Sequence, residues 1–162
     1  MRFNVSHLVQ APIMARDVVH LDVDEATLGD DLLVHHMRGE ITLTRTSSGL
    51  LAEGQVDVSL DGECVRCLTQ IPLPLEIQLD DLRFALPQTP PEGDAYRISE
   101  HGWVDMASAL REQILLNIPL RTLCRPACQG LCDQCGQDLN AGTCDCDTES
   151  VDPRLEALRG LL

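Results

Sequence analysis

The chain has 162 residues, enough for one sizeable hydrophobic core and too few for two ordinary domains. Twenty-six acidic residues stand against twelve arginines and no lysine, and the formal net charge of −14 argues against a protein that grips nucleic acid through a broad basic face. No apolar run approaches the roughly 18 residues of a membrane span, and MRFNVSHLVQ lacks the basic start and apolar centre of a leader, so a cytoplasmic protein without membrane contact is expected.

The first half reads as strands. FNVSHLVQ (3–10) and VVHLDVD (18–24) carry β-branched and apolar residues at roughly alternate positions, with a turn at Ala11-Pro12 between them. GEITLTRT (39–46) alternates cleanly, Ile41 and Leu43 to one face and Glu40, Thr42 and Thr44 to the other. Ser47-Ser48-Gly49 supplies a turn, and 50–60 returns with Val56, Val58 and Leu60 in phase, which predicts a hairpin. In IPLPLEIQLDDLRFAL (71–86), Pro72 and Pro74 forbid a helix at the start and favour an edge position there.

Residues 87–103, rich in Pro, Gly and charge, predict an exposed connection. The period then changes. Asp105 can cap a helix in which Met106, Ala109, Leu110, Gln113, Ile114 and Asn117 trace one side, Leu115 and Leu116 widen the stripe, and Pro119 ends it. DPRLEALRGLL, with Asp152 as cap and Pro153 at the first position, predicts a short final helix. The expected fold class is α+β: a mainly antiparallel β-sheet or partly open barrel over residues 1–122 with one packed helix. A cysteine-rich, zinc-binding tail, 123–162, is expected to dock on it and to end in the short helix.

Eight cysteines fall in four doublets: Cys64 and Cys67, Cys124 and Cys128, Cys132 and Cys135, Cys144 and Cys146. In a reducing compartment such clusters point to metal or catalysis before disulfides. Two thiolates separated by two or three residues on a tight turn can reach one ion, and four soft ligands suit tetrahedral zinc, so four doublets suit two zinc ions. Gly136, directly after Cys135, supplies the positive φ that such a turn needs, and CDQCGQDLNAGTCDC resembles a miniature zinc ribbon. The other site would then join Cys64 and Cys67 to Cys124 and Cys128 across more than fifty residues. A local alternative, Cys124 and Cys128 with Cys132 and Cys135, stays open. Arg66 and Arg125 lie beside these thiols, where charge compensation is the simpler role and partner contact the other. Asp133, Asp145 and Asp147 add a solvated acidic face.

Other chemistries fit less well. Pro72 and Pro74 deny the helix that a thioredoxin-like C-x-x-C requires, and the spacings match no ferredoxin run. The five histidines lack metalloprotease spacing, and no P-loop or GxSxG elbow is present. Asp30-Asp31 and Asp80-Asp81 are the only candidates for a magnesium-dependent nuclease; a thiol-based redox sensor that releases zinc is a further alternative.

C-V-R-C-L (64–68) after a hairpin, N-I-P-L (117–120) after a helix, C-R-P-A-C-Q-G-L-C-D-Q-C-G-Q-D-L-N, then C-D-C and D-P-R-L-E-A-L together resemble the bacterial YceD family over nearly the whole chain. The resemblance implies a cytosolic protein needed for accumulation of the large-subunit ribosomal RNA, with relatives in plastids. It carries over Cys64, Arg66, Cys67 and the six later cysteines, and no catalytic residue. The expected function is a non-enzymatic factor in large-subunit biogenesis. Because the chain is acidic, its expected direct partner is a basic ribosomal protein or assembly factor, with ribosomal RNA contacted indirectly.

Overall fold

The computed structural model describes residues 1–91, 93, 95–146 and 154. The chain divides into two units: Met1–Gly62 with Gln70–Leu120, and Glu63–Thr69 with Arg121–Leu162. The expected final helix at 152–162 lies outside the described residues, as does Asp147.

The first unit is built around a six-stranded sheet. Strands β2 (Arg16–Val23), β4 (Leu32–Arg45), β5 (Gly49–Glu63), β6 (Gln70–Ala85) and β7 (Tyr96–Arg97) follow in that order, and β3 (Ala26–Leu28) also pairs with β4. The pairings β2–β4, β3–β4 and β4–β5 are antiparallel, and β6 and β7 run parallel through Phe84↔Tyr96 and Ala85↔Arg97. The sheet is open, with β2 and β7 at its two ends, so the barrel option is not adopted. A second sheet of two strands pairs β1 (Arg2–Asn4) with β8 (Trp103–Asp105).

The hairpin expected at 39–60 is the centre of the sheet, with register Arg45↔Leu50 through Gly39↔Val56. Its strand β4 begins seven residues earlier than the alternation suggests. A register shift between Val34 and His36 breaks the period of two, which lets Val34 and Met37 both be buried although an odd number of positions separates them. Pro72 and Pro74 sit in the part of β6 that β7 does not pair, the edge position their missing N–H groups require.

Three expectations are corrected. Residues 3–10 are not one strand: after β1 the chain turns into helix α1 (Ser6–Gln10), because Val5 and Leu8, three apart, are both buried and only a helical turn presents both to one core. Leu115 and Leu116 do not widen the apolar stripe of helix α2 (Ala107–Asn117). They are exposed, and the core-facing side is Met106, Ala109, Leu110 and Ile114, with Ala107 and Ile118 partly buried against it. The N-cap is Met106 rather than Asp105, which stands one residue earlier and accepts from Ala107 N through Oδ1 at 3.0 Å. The helix stops at Ile118, which is extended before Pro119.

Candidate metal centres

All eight cysteines belong to the second unit, and all are free thiols. They gather into two groups of four, Cys64, Cys67, Cys124 and Cys128 in one and Cys132, Cys135, Cys144 and Cys146 in the other. Within each group the sulfurs lie within 4.8 Å of one another. The distributed arrangement is therefore the one adopted. In the first group Cys64 Sγ lies 3.9 Å from Cys128 Sγ, and Cys67 Sγ 3.7 Å from Cys124 Sγ. A tetrahedral ion with bonds of about 2.3 Å to sulfur needs edges of about 3.8 Å, whereas a disulfide needs about 2.05 Å. Each group could hold a metal ion by geometry and by donor chemistry.

The two C-x-x-C turns share one backbone design. In the first, Leu68 N donates to Cys64 O at 2.9 Å and Cys64 N to Thr69 O at 2.9 Å. In the second, Gly136 N donates to Cys132 O at 2.9 Å and Cys132 N to Gln137 O at 2.8 Å. The residue after the second cysteine has positive φ in both, +58° at Leu68 and +73° at Gly136. This winding points amides at the leading sulfur. The Cys124 amide, reinforced against burial by those of Arg66 and Cys67, holds the Cys64 thiol at about 6. The Cys135 and Gln134 amides hold Cys132 at about 7. Another thiol of each group is driven the other way. Burial, then hydrogen bonding with Cys128, pushes Cys124 up to about 12; hydrogen bonding with Cys135, then burial, pushes Cys146 up to about 12. Four sulfurs this close cannot all ionise without a cation among them, and a bound cation would expel the remaining protons.

Supporting residues fix this geometry. Arg66 Nη1 donates to Cys128 O at 2.7 Å, so the arginine of the first doublet braces the second. Arg125 Nη2 donates to Asn140 Oδ1 at 2.8 Å. Asn140 also accepts from Gln129 N at 2.8 Å and places its Nδ2 3.6 Å from Cys128 Sγ, which makes it a hub that the cysteine spacing does not reveal. Thr69 is another such residue: its hydroxyl lies 3.3 Å from Cys67 Sγ and, with its own amide, holds that thiol below the ordinary range. A polar residue two places after a ligand cysteine is the only sequence signal for it. Gly130 is obligatory, since at φ +80° a Cβ would stand 3.0 Å from Arg66 O, the carbonyl that accepts from Leu131 N.

Of the four carboxylates considered for magnesium, Asp31 and Asp81 are engaged elsewhere. Asp31 forms a two-pronged pair with Arg111 at 3.0 and 2.8 Å, and Asp81 one with Arg83 at 2.8 and 2.6 Å. Among the described residues, only the two cysteine groups bring three or more ligand atoms within 4.8 Å of one another. No helix among the described residues is long and apolar enough to cross a membrane.

An open, mainly antiparallel sheet unit and a small unit organised by two tetrathiol clusters define a class of two-unit protein with twin candidate metal centres. The family described as large ribosomal RNA subunit accumulation protein YceD matches residues 52–162, from the middle of β5 through both clusters. The chain belongs to the YceD family. An uncharacterized protein of Mycobacterium tuberculosis is 31% identical over 128 residues, 76% of this chain and 60% of the relative. The uncharacterized protein YlbN of Bacillus subtilis is 32% identical over 111 residues, 65% of this chain and 64% of the relative. The chain thus spans about three fifths of the length of these relatives. The large ribosomal RNA subunit accumulation protein YCED homolog 1, chloroplastic, of Arabidopsis thaliana is 37% identical over 49 residues, 30% of this chain and 15% of the relative. No solved structure matches the chain.

Proposed function

We propose that the chain is a non-enzymatic, zinc-stabilised factor that supports accumulation of the large-subunit ribosomal RNA by binding a basic ribosomal or assembly protein. The observation that carries the reading is the family match over 52–162, together with relatives named for this role. Zinc is the ion best suited to four thiolates at tetrahedral spacing. Four protein ligands leave no open coordination position, so the ion would supply structure and little chemistry. A net charge of −14 favours a basic partner and steers it electrostatically, with ribosomal RNA contacted secondarily.

The test is deletion of the gene in its host, with the ratio of large- to small-subunit ribosomal RNA as readout. The ratio is expected to fall and to be restored by the intact gene but not by a Cys64→Ser copy. An unchanged ratio would refute the reading. Crosslinking in the same cells should recover a basic protein whose association weakens as salt is raised.

A further inference from the structure

The two C-x-x-C turns are alike in backbone and opposite in surface chemistry. Position by position, Val65, Arg66 and Leu68 of the first stand where Asp133, Gln134 and Gly136 stand in the second. Glycine is the residue expected at the left-handed position, and the second turn has it. The first instead carries a leucine at φ +58° whose side chain is left 56% exposed, beside Val65 at 53%. An unfavourable backbone conformation that presents an apolar side chain to solvent has no use in packing. Strain of this kind is found where a surface makes contact.

Charge is segregated along the same division. Segment Arg121–Arg125 is tied to the first turn, Val65 N donating to Thr122 O at 2.9 Å and the Thr122 hydroxyl to Glu63 O. Together these two segments hold Arg66, Arg121 and Arg125 against the single acid Glu63, with Leu123 also partly exposed. Residues 126–146 hold Asp133, Asp138 and Asp145 and no cation. A strongly acidic chain thus gathers three of its twelve arginines around exposed aliphatic side chains on one rigid turn.

We propose that this first turn, with Arg121–Arg125 beside it, is the surface through which the chain touches a single-stranded stretch of RNA. Arg121, together with the guanidinium N–H groups of Arg66 and Arg125 that are not bonded to Cys128 O and Asn140 Oδ1, would take phosphates, and Val65 and Leu68 would lie against sugars and base faces. The choice of RNA among polyanions rests on the reading of the chain as a ribosomal RNA factor. All three kinds of contact are sequence-tolerant, and the second unit has no aromatic residue for base stacking, so the surface would bind weakly and with little sequence preference. Three phosphate contacts predict a salt slope of about −2 for a single strand.

The test uses the full chain loaded with zinc and a short fluorescein-labelled oligouridine, followed by anisotropy at low salt. Leu68→Gly keeps the turn and removes the side chain; Arg121→Gln removes one charge away from the sulfurs. Each is expected to weaken binding about three- to tenfold with zinc content unchanged, and Arg121→Gln to reduce the salt slope by about 0.7. Gln134→Ala on the second turn is expected to bind as wild type. The proposal is overturned if wild type fails to bind at low salt, if both first-turn variants bind as wild type, or if a polyglutamate peptide occupies the turn more tightly than the RNA. None of these outcomes alters the ribosomal RNA ratio in cells, which tests the proposed function separately.

Discussion

The two units solve the problem of chain entropy by different means. The first buries apolar side chains from β4, β5, β6 and α2: Met37, Ile41, Leu43, Val56, Ile77, Leu79, Phe84, Leu110 and Ile114 are all at most 1% exposed. The second has a buried cluster of Cys64, Cys67 and Cys128, with Leu131 packed beside it, while Val65 and Leu68 face solvent. Burial on that scale is small against the ordering of residues 63–69 and 121–146, and sulfur–metal bonds are the cross-links its geometry suits. Hydrophobic pattern specifies one unit and ligand spacing the other.

The strongest way to break this contrast is to remove metal. Chelation under reducing conditions should abolish dispersed amide resonances from 63–69 and 121–146. It should leave the sheet resonances and the fluorescence of Trp103, the single tryptophan and part of the first unit, in place. The effect is large, since structural zinc sites contribute about 10–16 kcal/mol each in peptides. Loss of the sheet with the metal would show that the first unit does not stand on its own core. The converse is Ile41→Ala, which opens a cavity at a fully buried position and should cost about 2–5 kcal/mol in urea unfolding followed at Trp103. Two bound metal ions should remain.

Within the second unit the clusters can be compared with each other. Cys67 and Cys124 are 57 positions apart, whereas Cys135 and Cys144 are separated by nine. Closing the longer loop restricts the unfolded chain more, by about 1.6 kcal/mol on loop-entropy scaling. Cys64→Ser should therefore lower the denaturation midpoint of the metal-loaded chain more than Cys144→Ser, by a difference of that order. Equal losses would mean that burial and strain, rather than loop length, set the value of each cluster.

Acid should separate them as well. The depressed Cys64 and Cys132 thiols favour the folded apo chain fully above the free-thiol range. That contribution is lost as pH falls through about 7 for Cys132 and about 6 for Cys64. Protons compete with metal at the same sulfurs, so the second cluster, with Cys135 exposed and Cys144 and Cys146 half-buried, should release its ion at the higher pH. Thiolate-to-cobalt charge-transfer absorbance of the cobalt-substituted chain, with Cys64→Ser and Cys144→Ser to assign the steps, would check the order.

How much of this was legible depended on whether the signal was local. Ile41 and Leu43 alternate against Glu40 and Thr42, and the central hairpin follows from them. The start of β4 was hidden because the shift near His35 breaks the period on which the reading relies. Val5 and Leu8, three apart, share a face only on a helical turn, but that they share one core is visible only in the fold. The four doublets and the Gly136 turn were visible as spacing. Which doublets share a site was not, since Cys67 and Cys124 meet only through the fold. Asn140 and Thr69 were invisible for the same reason: nothing in their identity announces a sulfur 3.6 or 3.3 Å away.

The smallest expected effect bears on the contrast between the two turns. A leucine in the left-handed region costs about 1–2 kcal/mol relative to its favoured conformations. Glycine there relieves that cost, and forfeits roughly 0.5–1 kcal/mol because the unfolded chain gains freedom. Leu68 is more than half exposed, so its removal sacrifices little packing. Leu68→Gly should accordingly leave stability unchanged or raise it by up to about 1 kcal/mol, read as a small upward shift of the denaturation midpoint. Gly136→Leu, the reciprocal change, should lower the midpoint by a similar amount, although open space surrounds that position and nothing clashes with a Cβ there. A clear loss of stability in Leu68→Gly would mean that the leucine packs within its own unit, and the first turn would then differ from the second for a structural reason.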